Sequence, residues 1–132
     1  MPNCTVVIFG LDEELETELR NVLSRQDQAI RVQPSQSPHE CLEMAGQLGA
    51  DLIFCSADRL RYLELLEAVS RSRPGLPVVV VSRMPEVSEW LDAIEAGASD
   101  YCAAPFERSH IEWILESNIQ HQPAPATYRA AG

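Results

Sequence analysis

Five apolar, β-branched runs, each followed by a stretch with helically spaced apolar residues, predict an α/β domain built on a parallel sheet covered by helices on both sides. Two observations carry that prediction. The runs Cys4–Phe9, Asp51–Cys55 and Pro77–Val81 are almost continuously apolar, which suits strands buried on both faces. The connections between units are short, and right-handed crossovers then leave few topologies. A length of 132 residues suits one domain with enough core to fold without disulfides or a structural metal.

The elements follow in order. Cys4–Phe9 is the first strand. Leu11, Leu15, Leu19, Val22 and Leu23 then recur at helical spacing, with Glu13, Glu14, Glu16 and Arg20 on the opposite side. Residues Asp12 to Glu14 place negative charge where the helix dipole favours it. Ile30–Val32 is a short second strand. Ser37-Pro38-His39-Glu40 starts a helix with a serine cap, proline at the first position and a glutamate that reaches back. Gly49 ends that helix. Asp51–Cys55 is the third strand, and Leu60, Leu63, Leu66 and Val69 mark the inner side of the following helix. Pro74-Gly75 breaks it, Pro77–Val81 is the fourth strand, and Glu86–Glu95 is the fourth helix with Val87, Leu91 and Ile94 turned to the core. Gly97 closes that helix, Asp100–Ala103 is the fifth strand, and Pro105 stops it by removing a backbone donor. Ile111, Leu115 and Ile119 face inward on the last helix. Residues 1–121 form the domain. Residues 122–132 carry no periodicity and two prolines, and are expected to be a flexible tail or the start of a linker.

Composition narrows the function. Hydrophobic content of 45% with 23% charged residues is that of a soluble globular protein. No segment is long and apolar enough to span a bilayer and no basic-then-apolar leader opens the chain, so a cytoplasmic location without membrane association is expected. A net charge of −10 disfavours direct nucleic-acid binding, which draws its affinity from lysine and arginine. Cys4, Cys41, Cys55 and Cys102 form no Cys-x-x-Cys pair and are expected to be reduced core thiols. His39, His110 and His121 have no ligand spacing, so no metal and no cofactor are expected.

Ala93 to Phe106 (AIEAGASDYCAAPF) resembles the "AGA-x-D-[YF]-x-x-K-P-[FL]" segment of bacterial response-regulator receiver domains, and the resemblance extends over residues 4 to about 119. It implies a CheY-like, flavodoxin-like (βα)5 doubly wound sheet of strand order 2-1-3-4-5, with chemistry beyond the carboxyl ends of strands 1 and 3. In that family an acidic pair after strand 1 helps hold Mg²⁺ and an aspartate after strand 3 accepts a phosphoryl group. A Ser or Thr after strand 4 contacts that group, a lysine after strand 5 pairs with it, and an aromatic residue on strand 5 changes rotamer. Carried over position by position, the acidic pair falls on Gly10 and Leu11, the aspartate on Ser56 and the lysine on Ala104, whereas Ser82, Tyr101 and Pro105 match. Gly10 and Leu11 offer no side-chain oxygen to a cation. A serine hydroxyl without a base or metal is a weak nucleophile, and no ammonium is left to neutralise a transferring phosphoryl group.

The leading expectation is therefore a non-enzymatic pseudo-receiver with no catalytic residues, which acts in bacterial signal transduction or transcriptional regulation as a phosphorylation-independent interaction module. Two carboxylates near the crevice, Asp12 and Asp58, set the alternative of residual phospho-acceptance; helix capping is the plainer reading of both. Phosphorylation of Ser56 by a separate serine kinase is a second alternative. A small-ligand binder at the strand ends is a third, although no glycine-rich phosphate loop supports it. Ser82 and Tyr101 are the switch-like pair. Trp90, Tyr101, Trp113 and Ile114 are the candidate interface, on the face that the resemblance assigns to helix 4, strand 5 and helix 5. Expected partners are signalling proteins, an output domain beyond the tail, or a second copy through that face.

Overall fold

The computed structural model describes residues 4–83 and 87–119. Its strands are β1 (Cys4–Phe9), β2 (Ile30–Ser35), β3 (Leu52–Ser56), β4 (Val78–Ser82) and β5 (Asp100–Ala103), and its helices are α1 (Glu13–Ser24), α2 (Pro38–Leu48), α3 (Arg59–Ser72), α4 (Val87–Glu95) and α5 (Arg108–Ile119). All strand pairs are parallel, in the order β2-β1-β3-β4-β5. The doubly wound sheet and strand order expected from the sequence are those found.

Alternate residues along each strand serve two cores, as a period of two requires. Val6, Ile8, Leu52, Phe54, Val79, Val81 and Cys102 pack with α1 and α5 on one face. Val7, Phe9, Ile53, Cys55, Val78, Val80 and Tyr101 pack with α2, α3 and Ala93 of α4 on the other. This double burial explains why the central strands read as unbroken apolar runs. The four cysteines are free thiols inside these cores.

Local signals act at the ends of elements. The Ser37 hydroxyl accepts from the Glu40 N–H at 3.1 Å, and the Glu40 carboxylate accepts from the Gln36 N–H at 2.6 Å, one residue ahead of the cap. Gly49 closes α2 in the left-handed conformation. β2 extends past Val32 to Ser35 and includes Pro34, which an edge strand tolerates because one side of its backbone needs no partner. The Ser35 hydroxyl donates to the Ile8 carbonyl at 2.9 Å and fastens that edge.

The structure corrects five inward-facing assignments. On α3, Leu60 is 81% exposed and Leu63 is also open, while Tyr62, Leu65, Leu66 and Val69 are buried. On α4, Val87, Leu91 and Ile94 are exposed and Ala93 alone is buried. The small Ala93 lets the helix sit close to the sheet beside the buried Tyr101 ring, so the apolar stripe at 87, 91 and 94 rotates to solvent. On α5, Ile114 is fully buried together with Ile111 and Leu115, because positions i, i+3 and i+4 form a stripe wide enough to include it. Ile114 is therefore a core residue and leaves the candidate interface. Leu11 precedes α1 rather than joining it, and packs half-buried against the α1–α5 core. Glu86, assigned to the fourth helix from sequence, and the tail assigned to 122–132 lie outside the described residues.

Candidate functional site

The register of the sheet brings the expected site residues to one end. Phe9 pairs with Cys55, Ser56 with Val81 and Ser82 with Ala103, so the chain leaves β1, β3, β4 and β5 at the same edge. There a crevice of about 550 Å³ is lined by Gly10, Leu11, Asp12, Ser56, Asp58, Arg61, Ser82 and Arg83 among others. It lies at the carboxyl ends of neighbouring strands at the point where the order reverses, where doubly wound folds bind ligands. Ala104 follows β5 at the same edge but does not line the crevice; its N–H donates to the Ser82 carbonyl at 2.9 Å, and it is joined to Pro105 by a cis peptide bond.

Both leftover carboxylates are committed to helix starts. Asp12 caps α1, accepting from the Leu15 N–H at 2.9 Å. That hydrogen bond, then the adjoining Arg83 guanidinium, holds its carboxyl below the usual carboxylate range. Asp58 caps α3, accepting from the Leu60 N–H at 3.1 Å, with the Arg61 Nε 3.8 Å away. The Ser56 hydroxyl oxygen accepts from the Asp58 N–H at 3.0 Å and so helps set the turn into α3.

A residue to which sequence reasoning attached no role dominates the crevice electrostatics. The Arg83 guanidinium, just past β4, pairs with Asp12, reaches Glu14 at 3.2 Å and Glu18 at 3.9 Å. It joins the end of β4 to the first turns of α1. Its hydrogen bond to the Asp12 carboxylate foremost raises the Arg83 pKa further, so the cation is permanent. The signal was present, since a lone cation follows Ser82 at a strand end, but nothing in one dimension says that α1 and its carboxylates lie opposite.

The Mg²⁺ that the family resemblance implies does not fit these residues. Gly10 and Leu11 supply no ligand, Asp12 is shared between a backbone N–H and a guanidinium, and no group of three or more His, Cys, Asp or Glu is placed to hold a metal among the described residues. His39 and His110 are exposed on helices; His121 lies outside the described residues.

Ser82 and Tyr101 do meet. Tyr101, named with the candidate interface from sequence, is buried, so its ring lies beneath that face rather than open on it. Its hydroxyl donates to the Glu89 carboxylate of α4 at 3.2 Å and is hydrogen-bonded by Ser82. Burial foremost, offset in part by Ser82, pushes the phenol up. The pair thereby connects the crevice to α4. Trp90 and Trp113 are exposed, at 46% and 57%.

Gly10 has φ +78°, and a Cβ built there would stand 3.1 Å from the Ser56 Cβ, with the Arg61 side chain at 3.5 Å. Gly10→Asp is therefore expected to destabilise the domain by roughly 1–3 kcal/mol through positive φ and crowding. Thermal melts check this: an unchanged midpoint would show that the backbone relaxes at no cost. Reinstating the acidic pair thus strains the fold as well as altering charge.

No protein-family model matches the chain. The chain is 32% identical over 68 residues to the nitrogen assimilation regulatory protein NtrX of Azorhizobium caulinodans, covering 52% of this chain and 15% of that protein. It is 27% identical over 118 residues to the DNA-binding transcriptional regulator NtrC of Rhizobium meliloti, covering 87% of this chain and 24% of that protein. The chain thus spans at most about a quarter of the length of these relatives. The crystal structure of the receiver domain of NtrX from Brucella abortus superposes with a TM-score of 0.72 at 21% identity, covering 87% of this chain and 98% of that one. Among the described residues no helix is long and apolar enough to cross a membrane. The five parallel strands in the order 2-1-3-4-5, the five flanking helices and this superposition make the fold that of a response-regulator receiver domain.

Proposed function

We propose that this chain is a pseudo-receiver: a receiver-fold unit of a bacterial response regulator that takes up no phosphoryl group and signals by presenting a fixed protein-binding surface. The observation that carries the reading is the crevice itself. The positions of the acidic pair, the phospho-accepting aspartate and the lysine hold residues unable to perform those roles (Gly10, Leu11, Ser56 and Ala104), and the two remaining carboxylates are caps. A permanent guanidinium on Asp12 supports the same reading, because it provides without metal the neutralising charge that Asp12, Glu14 and Glu18 need. The similarity to NtrX and NtrC supports a role for such a unit in transcriptional regulation, with protein partners or an output domain as what it acts on. The module is cytoplasmic, is not an enzyme and binds no nucleic acid directly.

The test is intact mass after incubation with acetyl phosphate and Mg²⁺. No phosphoryl adduct is expected. A stoichiometric adduct retained in Ser56→Ala would establish the residual phospho-acceptor reading through Asp12 or Asp58, and one lost in that variant would assign Ser56.

A further inference from the structure

The exposed stripe of α4 has a chemistry of its own. Val87, Trp90, Leu91 and Ile94 recur at i, i+3, i+4 and i+7 and are 67%, 46%, 52% and 38% exposed. That spacing is how one helix presents an apolar seam to another. Four large apolar groups in nine residues exceed the scattered apolar exposure of an ordinary surface. Every charged residue of α4 is acidic (Glu89, Asp92 and Glu95), and the helix carries no basic residue. Glu89 is held in place by the Tyr101 hydroxyl, so at least one of these carboxylates is positioned before any partner arrives. Beyond the end of α4 a groove of about 970 Å³ continues the pattern: Leu60 and Leu63 line it with Glu64 and Glu67, and Ala96 and Gly97 close it.

We propose that the α4 stripe docks a basic amphipathic helix of a partner protein, one with apolar residues along one face and Lys or Arg beside them, rather than a second copy of this chain. The proposal rests on the reading of this domain as a fixed binding surface and names the chemistry of what it binds. Charge complementarity selects the occupant. Two copies meeting through α4 would bring six carboxylates together between domains that each carry a net charge of −10. Like charges set opposite one another disfavour that pairing, and no basic residue of α4 relieves it. A cationic helix satisfies the same carboxylates while it covers Trp90 and Leu91, and aromatic side chains dominate such interfaces. Because the carboxylates are exposed, their contribution is screened over about 8–10 Å at moderate salt.

The test uses the 132-residue chain with Trp113→Phe, so that Trp90 is the sole tryptophan and reports binding by fluorescence. Two synthetic helical peptides share an apolar i, i+3, i+4, i+7 face and differ only in flanking residues, lysine in one and glutamate in the other. The lysine peptide is expected to bind at least tenfold tighter in 50 mM NaCl, with the gap narrowing in 500 mM, and Leu91→Ser is expected to weaken it at least tenfold. Sedimentation of the parent at 50 mM NaCl is expected to give a monomer. Equal affinity for both peptides, binding indifferent to Leu91→Ser, or a dimer that Leu91→Ser dissociates would each overturn the proposal. Leu91 is exposed, so the variant keeps its fold, and a matching thermal melt verifies that. A phosphoryl adduct in the mass experiment would overturn the pseudo-receiver reading alone, whereas the peptide comparison decides the partner's chemistry.

Discussion

Ile114→Ala is expected to cost about 2–5 kcal/mol of stability, while Trp113→Ala, one residue earlier on the same helix, is expected to change it by about 0.5 kcal/mol or less. Ile114 is fully buried against the α1–α5 core, so alanine removes transfer energy and leaves a cavity that Ile111, Leu115 and the strand residues around it fill only in part. Trp113 is 57% exposed, and the hydrogen bond from the Ser117 hydroxyl goes to its backbone carbonyl, which alanine retains. The larger side chain is thus the cheaper one to lose. Urea titrations of the two variants beside the parent check the contrast. Comparable losses in both would show that the indole packs against the domain more than its exposure indicates.

Alkaline conditions are expected to unfold the protein at a pH where its arginines are untouched. Burial pushes the thiols of Cys41 to about 11 and of Cys4 and Cys102 to about 12, from an ordinary 9.0, and raises Cys55 as well. All ten basic residues are arginine, so no lysine titrates in this range. Above pH 9 the unfolded chain releases thiol protons that the native chain retains. The unfolded state then binds fewer protons, and stability falls as pH rises. The stabilisation is fully present below the unfolded thiol value and is lost as pH climbs through the native values. Each pH unit costs about 1.4 kcal/mol per retained proton. By pH 11 several thiols together approach the whole ~5–15 kcal/mol that holds a domain of this size. Buried Tyr62 and Tyr101, both raised mainly by burial, steepen the fall at the upper end. Melts from pH 7 to 11 under reducing conditions are expected to show midpoints dropping from about pH 9. Replacing Cys102 with alanine should reduce the slope of that limb. A midpoint level to pH 11 would refute the account.

The sequence by itself determined the sheet, its parallel layering and the ends of several elements. Unbroken runs such as Val78–Val81 can be read as doubly buried strands because both faces of a parallel sheet need apolar side chains. The turn residues Ser37, Gly49 and Gly97 act through backbone conformation and capping within a few residues, which a linear reading captures. The loss of phospho-acceptor residue types at Gly10, Leu11, Ser56 and Ala104 was also legible, because what a side chain can ligate or donate does not depend on its surroundings. Tertiary structure decided the rest. Periodicity defines a stripe on a helix but not how wide it is or what lies opposite. Hence Ile114 joined the core, and the stripe of α4 turned to solvent once Ala93 and Tyr101 had taken the space beneath it. Arg83 acquired its role in the same way: its three carboxylates lie more than sixty positions earlier in the chain, and only the return of β4 beside α1 brings their charges within reach of one guanidinium.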